Sequence, residues 1–252
     1  MNLLRTSLGV AVELPSGDLL PIRAIVGIGM NYAQHAREQG KEPPSRPVFF
    51  TKNPLAASLH NEPIRIPHIC QDRPQVDFEA ELGVLIGHPP PGHTNRDIPK
   101  DRALQHVLGY CPANDVSARW WQKEGSGGQF YRGKSFDSFC PLGPTITPAN
   151  RVPNPNALRI SCSVNGSIMQ DANTSDMIFN VPTLIHELSR AHSILPGTLI
   201  LTGTPSGVGF ARNPPIYLQP GDHVRVTVES LGSLDNPVTL DNHPTLDAPT
   251  TQ

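Results

Sequence analysis

Proline is the residue that most constrains what this chain can fold into. The sequence holds 28 prolines in 252 residues, and they occur along its whole length. Because a proline ring fixes φ and supplies no backbone N–H, it interrupts both helices and sheet ladders. Short strands joined by many ordered turns fit this pattern better than long helices. We therefore expect a mixed α/β fold that is dominated by β-structure and has a few short helices.

The charge and hydropathy patterns exclude several classes of partner. A net charge of −2 provides no broad basic surface of the kind that nucleic acids or anionic membranes attract. No apolar run reaches the roughly 20 residues that span a bilayer, and the N-terminus lacks the apolar core of a signal peptide. The four cysteines are far apart in sequence, without a C-x-x-C pair. We expect a cytoplasmic protein that binds a small molecule, with no nucleic-acid or membrane partner.

The order of patterns divides the chain into three stretches. Residues 1–22 form a small N-terminal appendage with a hairpin around Ser16–Gly17, and residues 23–238 form the main domain. Residues 239–252 are rich in proline, threonine and aspartate, so we expect a flexible tail there.

Within the main domain, several segments carry clear signatures of secondary structure. VDFEAELGVLIG (76–87) predicts a long strand that enters the core, and LQHVLGYCPANDVSA predicts a second strand that ends near Asp115. Helical spacing and helix-ending glycine or proline predict short helices, whereas turn dipeptides predict hairpins. The expected helices lie in 31–44, 119–122 and 181–194, with an ordered lid as the alternative for 31–44. The expected hairpins lie in 161–170 and 222–238.

The first of these strands is unusually acidic. Because side chains at i and i+2 share one face of a strand, Asp77, Glu79 and Glu81 are expected to crowd together. An isolated E-x-E pattern is more often a solvated face, but this strand continues into apolar residues and a further acid, Asp115, ends the next strand. Glu79, Glu81 and Asp115 could converge on one ion. Ligation by oxygen alone favours Mg²⁺, with Mn²⁺ or Ca²⁺ as alternatives.

Five segments together resemble one protein family. VDFEAELGVLIG, ANDVSARWWQ, GKSFDSFCPLGP, QDANTSDMIF and LTGTPSGVG occur in the order found in fumarylacetoacetate hydrolase family proteins, and the match covers residues 23–238. The resemblance implies a β-sandwich roll, usually a homodimer. It also implies a catalytic main domain whose Mg²⁺-type ion is held by Glu79, Glu81 and Asp115.

The same resemblance assigns roles to further residues. His35 and Glu38 match the H-x-x-E pair that activates water in hydrolytic members, and Lys134 matches the lysine of the GKSFD segment. Because residues three apart share a helix face, Glu38 can hold His35 in one tautomer. The remaining positions, which the resemblance suggests for substrate binding, are Arg119, Gln122 and Thr204.

These groups lead to one favoured reaction and one alternative. The favoured reaction is hydrolysis of a carbon–carbon bond in a small β-diketo acid such as an acylpyruvate, with water deprotonated by His35. The alternative uses the same metal site for keto–enol tautomerisation or decarboxylation of oxaloacetate. The stretch WWQKEGSGGQFYRGKSFDSFCPLGP is similar to family members linked with oxaloacetate.

Two other interpretations carry less weight. GQFYRGKS (128–135) satisfies the spacing of a nucleotide phosphate loop, but KEGSGG rather than a buried strand precedes it. A cover over the site, with the glycines as hinges, fits this loop better. A non-catalytic, metal-stabilised binding protein would be expected to lack the His35–Glu38 pair or Lys134, and the sequence has both.

Overall fold

Short strands make up most of the regular structure in the computed structural model, which describes residues 1–241. The strands are β1 (Leu3–Thr6), β2 (Gly9–Glu13), β3 (Leu19–Pro21), β4 (Ala24–Gly29), β5 (Val48–Lys52), β6 (Ala57–Leu59), β7 (Ile64–Ile66), β8 (Val76–Asp77), β9 (Ala80–Ile86), β10 (Val107–Asn114), β11 (Ser117–Ala118), β12 (Cys140–Leu142), β13 (Thr147–Pro148), β14 (Arg159–Val164), β15 (Ser167–Asn173), β16 (Thr198–Leu201), β17 (His223–Val228) and β18 (Gly232–Leu240). The α-helices are α1 (Ala33–Glu38), α2 (Arg119–Gln122), α3 (Phe130–Lys134) and α4 (Val181–Ser189). The predicted β-dominated fold with a few short helices is confirmed.

The strands form two larger sheets and two small ones. The central sheet has the order β5-β4-β16-β9-β10-β12-β6, with β13 also paired to β10. A second sheet has the order β15-β14-β17-β18-β7, and it packs through β14 and β17 against β9 and β10. The N-terminal strands β1, β2 and β3 form their own antiparallel sheet, and β8 and β11 form a two-stranded sheet. The metal-site strands predicted from the sequence therefore lie at the centre of the molecule.

Strand β9 forms the centre of the hydrophobic core. All of its residues are buried, because β16 and β10 flank it and the second sheet covers one of its faces. Its aliphatic side chains, such as Leu82, Leu85 and Ile86, each stabilise the fold by about 1.5–3 kcal/mol through burial of apolar surface. This rigid strand fixes the position of the acidic residues at its N-terminal end.

Most of the predicted turns and helix ends are where the sequence indicates. β2 and β3 form the hairpin around Ser16–Gly17, and Asn165 and Gly166 turn β14 into β15 with positive φ values of 51° and 82°. β17 and β18 form the last hairpin. Helix α1 is shorter than the 31–44 segment, and the chain leaves it through Gly40 at φ 67°.

Two boundaries differ from the predictions. Helix α4 ends at Ser189 rather than 194, because Arg190 adopts an extended conformation. Strand β18 continues to Leu240 and pairs with β7, so residues 239 and 240 belong to a sheet rather than to the predicted tail. Asp241 follows the strand, and its N–H donates to the Ile66 carbonyl at 2.9 Å, whereas residues 242–252 lie outside the described residues.

A glycine in β10 is expected to be sensitive to any added side chain. A Cβ at Gly109 would lie 2.4 Å from the Thr147 carbonyl oxygen and 2.6 Å from Ile146 Cγ2. Gly109→Ala should therefore lower the free energy of unfolding in urea by about 1–3 kcal/mol. Gly29→Ala is the matched control, since its nearest contact would be an ordinary 3.6 Å. Equal stability of the two variants would contradict the packing described for β10 and β13.

Candidate active site

Three buried carboxylates meet where β9 begins and β10 ends. The antiparallel register pairs Ala113 of β10 with Glu81 of β9, and the Asp115 N–H donates to the Glu79 carbonyl at 2.9 Å. This pairing brings Glu79, Glu81 and Asp115 together, and one oxygen from each lies within 4.8 Å of the others. We call these three residues the acidic triad. The predicted convergence of the three side chains is thus present in the structure.

The prediction of one continuous strand over 76–87 is wrong. The segment breaks at Phe78 and Glu79, because β8 pairs with β11 whereas β9 pairs with β10. Side chains take the freed amides: Phe78 N–H donates to Asp77 Oδ1 and Glu79 N–H donates to Asn114 Oδ1, both at 2.9 Å. The break separates Asp77 from the acidic triad.

Asp77 holds the arginine that the sequence assigned to substrate. Arg119 Nη2 and Nε donate to Asp77 Oδ2 at 2.7 and 2.9 Å, and Arg119 Nη1 donates to Glu79 Oε1 at 2.6 Å. Asp77 also accepts the N–H groups of Gly209 and Phe210. Asp77 is therefore a positioning residue that aims the guanidinium at Glu79.

Two buried lysines, Lys134 and Lys52, pair with Glu79 and Asp115. Lys134 Nζ, at the end of α3, donates to Glu79 Oε2 at 2.9 Å, Asp115 Oδ2 at 2.5 Å and Ser117 Oγ at 2.8 Å. All three protons of this ammonium group are used. Burial alone raises the pKa of Glu79, but the charges of Lys134 and Arg119 outweigh it and hold that pKa well below its ordinary value.

Lys52 was not recognised from the sequence. It ends β5, is 2% exposed, and donates to Asp115 and to the Phe139 carbonyl at 2.8 Å. The available signal was a lysine that ends the segment VFFTK, two residues after its apolar run. Gln170 was missed as well: its amide joins the Ala80 N–H to Thr204 Oγ1, at 2.9 and 2.8 Å.

Within residues 1–241, Glu81 is the triad member that has no cationic partner. It accepts the N–H of Gly203 at 2.6 Å. Burial, followed by the negative charges of Asp115 and Glu79, raises the pKa of Glu81 well above its ordinary value. A hard divalent cation would relieve this repulsion, and three carboxylates are the donors that Mg²⁺ or Mn²⁺ prefers. The acidic triad therefore fits the ion predicted from the sequence.

A histidine–glutamate pair lies on the short helix α1. His35 Nδ1 donates to Glu38 Oε1 at 2.6 Å, and Glu38 Oε2 accepts the Gly207 N–H at 2.9 Å. The Gln39 amide lies 2.7 Å from His35 Nε2 and donates to it. This network assigns the proton to Nδ1 and leaves the lone pair on Nε2, which is the tautomer that a general base needs.

A cavity of about 700 Å³ joins the base to the charged residues. The predicted residues that line it are His35, Glu79, Arg119, Gln122, Lys134 and Thr204. Glu38 is linked to the cavity by its hydrogen bond to His35. Gln122 accepts a hydrogen bond from Arg119 Nη1 at 3.0 Å. Gly127 and Gly128 of the glycine-rich loop also line the cavity, whereas Lys134 is engaged with carboxylates rather than exposed as a phosphate ligand. One cavity thus contains the base, the cations and one edge of the acidic triad.

Comparison with known proteins identifies the family. The family model described as fumarylacetoacetate (FAA) hydrolase C-terminal matches residues 24–239. The chain belongs to the fumarylacetoacetate hydrolase family. It is therefore related to enzymes, and its acidic triad and Lys134 lie in the segments through which the sequence resembled that family.

Individual relatives differ in their reactions. The chain is 42% identical over 214 residues to the mitochondrial oxaloacetate tautomerase fahd2 of Xenopus laevis. The aligned region covers 85% of this chain and 65% of the tautomerase. The fumarylacetoacetate hydrolase of Exiguobacterium antarcticum is 39% identical with a TM-score of 0.76, over 88% of this chain and 78% of that one. The fumarylpyruvate hydrolase of Pseudomonas aeruginosa, in complex with Mn²⁺ and pyruvate, is 30% identical with a TM-score of 0.80, over 96% and 100%.

The chain spans about two thirds of the length of the curated tautomerases that it matches. In the described part of the chain, no helix is long and apolar enough to cross a membrane. The expected cytoplasmic location and the expected homodimer stay predictions.

Mg²⁺ is expected to stabilise the folded chain through the acidic triad. At a concentration about 100-fold above its Kd, a ligand that binds only the folded state adds about 2.7 kcal/mol to the free energy of unfolding. Glu81→Gln should lose most of this gain, measured by urea unfolding with Mg²⁺ and with chelator. Asp101→Asn, an exposed acid outside the site, is the control. A full Mg²⁺ effect in Glu81→Gln would contradict the proposed ligand set.

The same variant should behave differently without metal. A raised pKa of Glu81 means that the folded state binds its proton more tightly than the unfolded state. The stability that the folded state gains from this tighter proton binding is complete below the ordinary glutamate pKa of 4.5, and it is lost as the pH rises above that value. In chelator at pH 8, Glu81→Gln is therefore expected to be more stable than the wild type, and this difference should shrink towards pH 5. A less stable variant at pH 8 would show that Glu81 is not electrostatically strained.

Proposed function

We propose that this chain is a divalent-metal-dependent enzyme that converts oxaloacetate between its keto and enol forms. The observation that carries the proposal is the convergence of His35, Glu79 and Lys134 on one cavity. A base beside a carboxylate cluster that can hold a divalent cation suits proton removal from the carbon next to a keto group. The 42% identity with the Xenopus tautomerase supports oxaloacetate as the substrate.

His35 would remove the proton. Its Nε2 lone pair takes a proton from C3 of the keto acid, and the electron pair of that C–H bond forms the C2–C3 double bond. The π electrons of the C2 carbonyl move onto its oxygen, which then takes the proton from the His35 imidazolium; this completes the enol and restores the neutral base. Since the Gln39 amide donates to Nε2 in this structure, the substrate has to replace that hydrogen bond. Glu38, anchored by the Gly207 N–H, balances the imidazolium that forms.

Positive charge in the cavity would stabilise the developing oxyanion. Lys134 and Arg119 are both fixed by carboxylates, so neither pays a large reorganisation cost when negative charge appears. A divalent ion held by Glu79, Glu81 and Asp115 would, when bound, polarise the keto carbonyl. Gln122 and Thr204 line the same cavity and supply polar contacts for a carboxylate or carbonyl.

Hydrolysis of an acylpyruvate is the second candidate. The same Nε2 lone pair could deprotonate water, which would attack the distal carbonyl and release pyruvate. The fold similarity to a fumarylpyruvate hydrolase, with a TM-score of 0.80, favours this reading. We rank oxaloacetate first because the 42% identity with a tautomerase supports it.

His35→Ala should reduce the rate of oxaloacetate keto–enol conversion by about 10²- to 10⁴-fold, the usual contribution of a general base. Glu38→Gln should cause a smaller loss, because His35 keeps its place but loses its counter-charge. The measurement is proton NMR of oxaloacetate in buffer with Mg²⁺. His192→Ala, an exposed histidine outside the cavity, is the control. Acetylpyruvate is supplied in parallel.

The products separate the two candidates. If oxaloacetate is converted and acetylpyruvate stays intact, the tautomerase reaction is supported. Metal-dependent release of acetate and pyruvate, without accelerated conversion of oxaloacetate, would replace it by the hydrolase. Unchanged rates in His35→Ala for both substrates would overturn the role of the base in either reaction.

A further inference from the structure

Two lysines at the rim of the cavity are unlike the lysines inside it. Lys41 and Lys123 line the cavity, and both side chains are exposed. In the described part of the chain, neither ammonium group forms a salt bridge, whereas Lys52 and Lys134 are both paired with buried acids. The rim therefore carries positive charge that forms no salt bridge within the described residues.

The backbone holds both lysines at the rim. The Lys41 N–H donates to the Ala36 carbonyl at 3.0 Å, which fixes residue 41 against helix α1. The Lys123 N–H donates to the Arg119 carbonyl at 3.1 Å, and the Lys123 carbonyl accepts the Gly128 N–H at 2.7 Å. The two side chains thus start from defined positions on two separate segments of the cavity wall.

Phe210 orients Lys123 relative to the deeper charges. Lys123 Nζ lies 4.2 Å from the centroid of the Phe210 ring, and Arg119 Cζ lies 4.5 Å from the same centroid. The ring is in turn fixed by the Phe210 N–H, which donates to Asp77. One aromatic ring therefore contacts both the inner cation beside Glu79 and the outer cation at the rim, which gives the cavity two cationic ends.

The electrostatics of the rim favour an anion. Burial and the charge of Arg119 lower the pKa of Lys123, and the charge of Lys41 adds to this effect. Glu124, which also lines the cavity, acts in the opposite direction. A bound carboxylate would reduce the repulsion among the cations. It would be attracted by the two lysines and repelled by one acid, Glu124.

We propose that Lys41 and Lys123 form a subsite for the second carboxylate of a keto diacid. This inference rests on the proposed function, in which the keto-acid end lies beside Glu79, Arg119 and Lys134. Pockets for drug-sized ligands occupy about 300–1,000 Å³, so a cavity of about 700 Å³ exceeds the needs of a four-carbon acid. The enzyme is therefore expected to act on keto diacids longer than oxaloacetate and to discriminate against keto monoacids.

The test compares two six-carbon acids that differ only at the far end. 2-Oxoadipate carries a terminal carboxylate where 2-oxohexanoate carries a methyl group. The rate of C3 hydrogen–deuterium exchange in D₂O with Mg²⁺, followed by proton NMR, gives kcat/KM for each. The wild type should prefer the diacid by about tenfold or more. Lys123→Met and Lys41→Met should each lower that ratio by about 5- to 20-fold, the usual effect of losing a charge-assisted hydrogen bond that is partly exposed to solvent.

Lys100→Met is the matched control, since Lys100 is an exposed lysine outside the cavity. It should leave the diacid-to-monoacid ratio unchanged. A ratio that stays at the wild-type value in both rim variants would overturn the subsite. So would an equal loss for the two substrates.

Calorimetric binding separates this inference from the proposed function. If the wild type exchanges no keto acid, the proposed function fails, and the subsite is then judged from the Kd values of the two acids in the presence of Mg²⁺. Tighter binding of 2-oxoadipate that Lys123→Met abolishes would support the subsite. Equal Kd values for the two acids in the wild type would refute it.

Discussion

The structure depends on holding a group of buried carboxylates against a smaller group of buried cations. Charges removed from water are costly unless they are paired and hydrogen-bonded, so each member has to be placed by a separate element of the fold. Four acids face three cations, which leaves one negative charge in excess, and it falls on Glu81. The excess charge is what gives the site its affinity for a divalent ion. The acids are Asp77, Glu79, Glu81 and Asp115, and the cations are Lys52, Arg119 and Lys134.

Local rules were enough to predict much of the fold. Proline and glycine placed the hairpins at Ser16–Gly17 and Asn165–Gly166, because turn chemistry is decided within a few residues. The strand predicted over 76–87 failed for a non-local reason. Its break depends on a change of partner from β11 to β10, and the alternation of side chains gives no sign of which strand will lie alongside. The same limit hid the pairing of β18 with β7.

The residues of the candidate site also fall into two groups, those that the sequence predicts and those that only tertiary contacts reveal. Glu79, Glu81 and Asp115 could be found because strand spacing and segment order both indicated them. Lys52 could not, since a lysine at the end of a strand normally reaches solvent, and only the packed structure shows it beneath Asp115. The role of Asp77 also changed from a ligand-like acid to the residue that aims Arg119. Tertiary contacts thus decide which charges face the cavity and which ones hold those charges in place.

The central claim is that the acidic triad binds one divalent ion beside the His35 base. A crystal soaked in Mn²⁺, with an anomalous difference map, tests it most directly. The account predicts a single strong peak within about 2.5 Å of an oxygen from each of Glu79, Glu81 and Asp115, in the cavity that His35 lines. A peak bound elsewhere, or no peak at a Mn²⁺ concentration that saturates calorimetric binding, would contradict it.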